Sequence, residues 1–204
     1  MLWIGTGSGL SRLDPRTDII RNYIHREEFQ GSIGGDYVKS LLVDRRGRLW
    51  IGADGALNLY VKESDSFISY DCGGLLAGTR LHDLLEDRRG IIWIATRDSG
   101  LIAFDPETAF CVQYSHDPTD PCSISSNHVC CLLEDSRGNL WAGTWEHGIN
   151  VYDRRRDVFL KAGVGNDGHA PNSSQIRCLA EDACGRVWVG TSDGLSIRSP
   201  ETGL

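Results

Sequence analysis

The chain has 204 residues, 40% of them hydrophobic, with 24 glycines, 6 prolines, a formal net charge of −7 and a pI near 5.3. That composition fits a turn-rich globular protein and excludes a collagen-like or disordered chain. The acidic balance argues against nucleic acid or an anionic membrane as partner, and no window approaches the ~18 consecutive apolar residues of a membrane-spanning segment.

Taken in order, the chain is an array. Residues 2–24 read as the second, third and fourth strands of a unit whose first strand is missing. Met1 leads straight into Leu2-Trp3-Ile4-Gly5-Thr6, the middle of a repeat, so this start reads as a truncation without a signal peptide. Residues 39–70, 81–114 and 129–160 form three whole units, and 176–198 supplies three strands of a last one. The units align on Trp3, Trp50, Trp93, Trp141 and Trp188, which lie 47, 43, 48 and 47 residues apart by subtraction. Four copies place an aspartate six residues before the tryptophan and a glycine three before it: Asp44/Gly47, Asp87/Gly90, Asp135/Gly138 and Asp182/Gly185.

Each unit reads as a strand meander. A short apolar run such as Leu84-Leu85-Glu86 is followed by Asp-x-x-Gly, which suits a type I turn with glycine at φ > 0. The next strand carries the tryptophan and, two positions on and hence on the same face, a small residue that leaves room for a bulky side chain of the neighbouring sheet. A third strand ends at Asp-Pro-x-Thr (14–17 and 105–108), with Ser199-Pro200-Glu201-Thr202 as a variant, and a shorter fourth strand follows. Polar connections (24–37, 71–80, 115–128, 161–175) link one sheet to the next. Four-stranded units of this period, unable to bury their own faces, predict an all-β partial β-propeller of about five four-stranded blades, three complete and two incomplete. A β-solenoid, with shorter and more uniform turns, is the runner-up.

The first sheet lacks its inner strand and the last its outer one. The two duplicate their second and third strands and cannot complete one another, so the expectation is an open arc within a single propeller fragment, residues 1–204.

The repeat Leu-x-Glu-Asp-x-x-Gly-x-x-Trp-x-Gly-Thr followed by Gly-Leu/Ile-x-x-Tyr/Phe-Asp, clearest in 84–105, 132–153 and 179–195, resembles the two-component regulator propeller repeat. Ser125-Ser126-Asn127 resembles the family's Ser-Ser-Asn segment, and Asn172-Ser173-Ser174 is a looser version. The resemblance implies a periplasmic, non-catalytic sensor propeller of a hybrid histidine kinase responding to oligosaccharides. The implied partners are an oligosaccharide, the remainder of the parent sensor and a homodimer, with no nucleic acid and no membrane insertion by this segment. The β-sandwich, membrane helix and kinase motifs of that family do not occur here. Sialidase-type Asp boxes have one residue fewer between Asp and Gly, so that class does not fit.

Candidate chemistry is sparse. Gly5-Thr6-Gly7-Ser8-Gly9 lies between two strands and reads as a turn, not a phosphate loop. The Glu-Asp pairs 86/87, 134/135 and 181/182 recur once per unit in a turn and read as scaffold. Seven cysteines without C-x-x-C spacing give no zinc motif; Cys131 and Cys178, in equivalent first-strand places, read as small buried hydrophobes, and a disulfide or metal site at Cys130-Cys131 is a minor alternative. Arg154-Arg155-Arg156 reads as a solvated hairpin tip. No cofactor, metal or catalytic residue is expected. The ligand-binding candidates are His82 and His128 at first-strand starts, with Lys39 and Arg177 in comparable places, and the hairpin Trp145-Glu146-His147, where Arg97-Asp98 stands in another copy. An exposed aromatic beside a carboxylate and an imidazole can stack on a sugar ring. Ordinary hydration of the channel, and packing of Trp145 on the loop 161–175, are the weightier alternatives.

Overall fold

The computed structural model describes residues 1–162 and 173–198. The Ser199–Thr202 turn and most of the 161–175 connection, and with it the packing of Trp145 on that loop, lie outside the described residues. Among the described residues, eighteen strands form five antiparallel sheets in an open, unclosed array. The first sheet is β1 (Leu2–Thr6), β2 (Gly9–Asp14) and β3 (Ile19–Tyr23). The second is β4 (Val38–Val43), β5 (Leu49–Ala53), β6 (Ala56–Val61) and β7 (Ser66–Tyr70). The third is β8 (Leu81–Glu86), β9 (Ile92–Thr96), β10 (Leu101–Asp105) and β11 (Phe110–Tyr114). The fourth is β12 (Val129–Glu134), β13 (Leu140–Thr144), β14 (Ile149–Asp153) and β15 (Val158–Ala162). The last is β16 (Ile176–Glu181), β17 (Val187–Thr191) and β18 (Gly194–Arg198). In each complete sheet spatial order follows chain order, and the first strands β4, β8, β12 and β16 pack on one another in succession, forming the inner wall.

The Asp-x-x-Gly turn does more than reverse the chain. In the second sheet Gly47, at φ 77°, donates its N–H to Asp44 O at 2.8 Å, and Asp44 Oδ1 accepts the backbone N–H groups of Arg46 (3.0 Å) and Arg48 (2.8 Å). The other carboxylate oxygen accepts the indole N–H of the tryptophan six residues on: Trp50 to Asp44 at 2.8 Å, Trp93 to Asp87 at 2.9 Å, Trp141 to Asp135 at 2.9 Å and Trp188 to Asp182 at 2.8 Å. The Asp-x-x-Gly spacing points to the turn but not to this indole partner. The preceding glutamate reaches the previous sheet, where Glu86, Glu134 and Glu181 accept the turn N–H groups of Arg45 (2.7 Å), Arg88 (2.9 Å) and Ser136 (2.7 Å). Each Glu-Asp pair therefore ties its own hairpin and the preceding one.

The small residue after the tryptophan is required by close approach. A Cβ on Gly143 would lie 2.6 Å from Ile176 Cγ2 of the next sheet and 2.7 Å from Cys131 Sγ of its own; one on Gly52 would lie 2.3 Å from Ser40 Oγ. Room is thus left for the neighbouring sheet, as expected, and also for the sheet's own first strand.

Outer edges are joined by a second device. Asp65, at φ 50°, accepts the hydroxyls of Tyr23 (2.7 Å) from the first sheet and Tyr60 (2.8 Å) from its own, and pairs with Arg12 at 3.0 Å. Asp157 does the same for Tyr114 (2.8 Å) and Tyr152. Between the second and third sheets the place of these aspartates is held by Ala109 and that of Tyr60 and Tyr152 by Phe104, so the carboxylate and one of its two hydroxyl donors are missing, while Tyr70 keeps the place of Tyr23 and Tyr114. There the Cys72–Cys111 disulfide joins the loop after β7 to β11. The cysteine spacing did not foretell it.

Two expectations are corrected. Arg154 is not a solvated tip: its side chain is 16% exposed and its guanidinium pairs with Asp87 Oδ2 at 2.6 Å and Glu134 Oε1 at 2.8 Å, whereas Arg155 and Arg156 are exposed. Cys131 is buried, but Cys178 is exposed, because among the described residues no further first strand packs over β16 as β16 packs over β12.

Asp44, Asp87 and Asp135 lie below the usual carboxylate range. Burial opposes their charge, but donation from the indole, from Arg48, Arg154 or Asn139, and from turn N–H groups outweighs it. Replacing Asp87 by alanine strands the Trp93 indole and removes one of the two carboxylates that pair with Arg154. Denaturant unfolding of that variant is expected to show a loss of about 3–5 kcal/mol, the range for breaking a buried ion pair. These carboxylates add stability that is complete above their unfolded value of 3.8 and is lost as pH falls through the lower folded values, so an acid scan should show the melting temperature dropping below that pH. Cys111→Ser opens a loop of 39 residues, for which loop closure predicts a loss on the order of 4 kcal/mol, read by the same unfolding assay.

Candidate ligand-binding site

All four first strands carry a one-residue register shift at the same place: between Val38 and Ser40, Leu81 and Asp83, Val129 and Cys131, and Ile176 and Cys178. A bulge leaves its extra residue outside the ladder and re-aims that side chain. The extra residues are Lys39, His82, Cys130 and Arg177, and all four line one cavity of about 370 Å³ against the inner wall, together with Asp83 and Trp145. Periodicity alone hides this convergence, because the bulge breaks the alternation that a sequence reading relies on.

His128 does not share their register, contrary to the expectation that it matches His82. Its carbonyl accepts Trp145 N–H at 3.0 Å, as those of Tyr37, Arg80 and Gln175 accept from Asp54, Arg97 and Ser192, so its equivalents are Tyr37, Arg80 and Gln175. Cys130, not His128, is the counterpart of His82. Even so, the two imidazoles meet, with ring centroids 5.1 Å apart.

Trp145 faces this cluster. Its ring stacks on His128 at 5.3 Å with planes 7° apart, and the Arg177 guanidinium sits 3.8 Å from its centroid, itself held by Ser192 Oγ at 3.2 Å. The rest of the hairpin turns elsewhere. Glu146 and His147 are exposed, and the His147 ring lies against His116 at 6.4 Å, so neither joins the cavity wall. Arg97 and Asp98 are exposed at the equivalent hairpin, where Asp98 N–H bonds Thr79 Oγ1 at 3.2 Å; their charges act on His128 in opposite senses. The structure thus gathers His82, His128, Trp145 and Arg177 and leaves Glu146, His147, Arg97 and Asp98 at the rim or beyond.

Burial, reinforced by the charges of Lys39 and His128, pushes His82 down to about 4. His128 is lowered by burial and by Arg97, and burial raises the Cys130 thiol to about 11 against the pull of Lys39 and Arg177. At neutral pH the His82 imidazole and Cys130 thiol in the cavity wall are therefore uncharged, as is the His128 ring beside them, with positive charge supplied by Lys39 and Arg177. Such a site offers lone pairs and donors inside and cations around them.

Sheets of three and four antiparallel strands fanned about an inner wall, with a cavity lined from that wall, define a segment of a β-propeller. Four stretches, residues 32–55, 74–98, 123–146 and 170–193, match the family described as Two component regulator propeller, and the chain belongs to that family. No curated protein matches it in sequence. Among solved structures it resembles the extracellular domain of a B. thetaiotaomicron protein named as a one component system, with a TM-score of 0.80 and 21% identity over 96% of this chain and 25% of that one. A second B. thetaiotaomicron extracellular domain, named for a hybrid two component system, gives 0.73 and 27% identity over 88% of this chain and 25% of that one. Virginiamycin B lyase from Staphylococcus aureus matches at 0.63 with 9% identity over 97% of this chain and 64% of that one, a likeness of fold alone. The chain spans about a quarter of the length of the two B. thetaiotaomicron domains.

Proposed function

We propose that this chain is a ligand-sensing propeller segment of an extracytoplasmic hybrid two-component sensor, and that its inner cavity takes an oligosaccharide. The observation carrying this reading is the convergence of four bulge side chains and Trp145 on one cavity of about 370 Å³, within the volume range of small-molecule sites. Lys39 and Arg177 make its wall cationic on a chain of net charge −7, which favours hydroxyl-rich or acidic sugars. Membership of the repeat family and the names of the two B. thetaiotaomicron structures support the sensor assignment. The Cys72–Cys111 disulfide supports an extracytoplasmic, oxidising location, since disulfides rarely persist in a reducing cytosol.

The end sheets support a further part of the reading. Leu2, Ile4, Ile19 and Ile20 are exposed on the first sheet and Leu195 and Ile197 on the last, which suits contact with the remainder of a longer sensor or with a second copy. No catalytic role is assigned to the chain.

A glycan-array screen of the parent sensor tests the proposal, followed by calorimetry of the bound sugar with Trp145→Ala and Arg177→Ala. Binding without turnover, weakened by about 1 kcal/mol or more in each variant, is the expected outcome. Unchanged affinity in both variants would remove the cavity from the account, and turnover of the glycan would replace the sensor reading with an enzymatic one.

A further inference from the structure

Two of the four bulge side chains that line this cavity, His82 and Cys130, also meet His128, which lies outside its lining. His82 comes from the bulge of β8 and Cys130 from the bulge of β12, while His128 stands two residues before Cys130. One ligand atom from each of the three lies within 4.8 Å of the other two. His82 Nδ1 sits 3.2 Å from the carbonyl of Val129; in the tautomer that donates Nδ1–H there, Nε2 carries the free lone pair. His128 Nε2 is buried and has no hydrogen-bond partner, a costly arrangement for a ring nitrogen unless something occupies the space beside it. Stacking on Trp145, 7° from parallel, fixes the orientation of that ring.

We propose that His82, His128 and Cys130 form a zinc site at the inner wall, joining the third and fourth sheets and leaving a coordination position open to the cavity. Two imidazoles and one thiolate with a free fourth position are a ligand set Zn²⁺ accepts. The hydrogen bond from His82 to the Val129 carbonyl is the outer-shell contact that typically orients a metal-bound histidine. Binding displaces the Cys130 thiol proton to solvent, so affinity rises with pH. Because the ligands come from two sheets, the ion would also pin β8 against β12. Lys39 and Arg177 surround the open position with positive charge, which favours an anionic fourth ligand there. The missing C-x-x-C spacing hides such a site in the sequence, because the third ligand is brought in by the bulge.

The test uses the whole chain with its disulfide intact and no reductant present. Titration with Co²⁺ is expected to give one equivalent bound, with the intense visible bands of a four-coordinate ion and a thiolate-to-metal charge-transfer absorption, and Zn²⁺ is expected to displace it. Cys130→Ser, close in size and thus tolerated by the fold, should abolish the charge-transfer absorption. His82→Gln should weaken Zn²⁺ binding by more than about 100-fold, the upper end of what losing an outer-shell partner alone costs. Cys131→Ser, which alters the neighbouring thiol, should leave both readouts unchanged. Absence of stoichiometric Co²⁺ binding, retention of the charge-transfer absorption in Cys130→Ser, or binding of Cu⁺ alone would each overturn the assignment.

Discussion

The architecture depends on a buried carboxylate taking the indole proton of the tryptophan six residues later. Asp44, Asp87 and Asp135 are buried, as are Trp50, Trp93 and Trp141. An unpaired carboxylate at such depth would be prohibitive, and an unpaired indole N–H costly. Together with the turn N–H groups they satisfy one another, so each hairpin is locked in one register. The small residue two places after the tryptophan then lets the next first strand come close, and that closeness builds the inner wall.

Neighbouring sheets are coupled in layers. At one end of the strands a glutamate binds the preceding turn, and at the outer edge a tyrosine pair shares an aspartate. Where that aspartate is Ala109, its tyrosine partner is Phe104 and the disulfide joins the same two sheets. The acceptor and one of its two donors are thus absent at one junction, and the ring of the remaining tyrosine, Tyr70, packs against Phe104. Arg154 adds a reach across the third and fourth sheets, where its charge is repaid by Asp87 and Glu134.

What could be read from the residues was whatever repeats. The tryptophan spacing, the Asp-x-x-Gly turns, the count of strands and the open arc all follow from local chemistry recurring once per unit, and the structure has them. The indole-to-aspartate bond was legible in principle, since the spacing of six was on the page, but a hairpin reading assigns such an aspartate only to backbone donors. The disulfide, the burial of Arg154 and the exposure of Cys178 depend on which sheet lies beside which, information about residues a full period apart that no single unit carries. In the candidate site, His82, Arg177 and Trp145 were singled out for the right region. Cys130 stood only in a minor disulfide or metal alternative with Cys131, and Glu146 and His147 were grouped with Trp145 by adjacency. Adjacent residues in a tight hairpin diverge, and the bulges had shifted the register that would have paired Cys130 with His82.

Amide and indole hydrogen exchange resolved at the six tryptophan side chains tests the central claim most directly, because it reports the indole protons themselves. If the buried carboxylates lock the sheets, the indole protons of Trp50, Trp93 and Trp141 exchange slowest, that of Trp188, only partly buried, exchanges faster, and that of Trp145, which has Asn139 and not an aspartate six residues before it, exchanges fastest. Equal and rapid exchange at all six, in a chain that remains folded by circular dichroism, would contradict it.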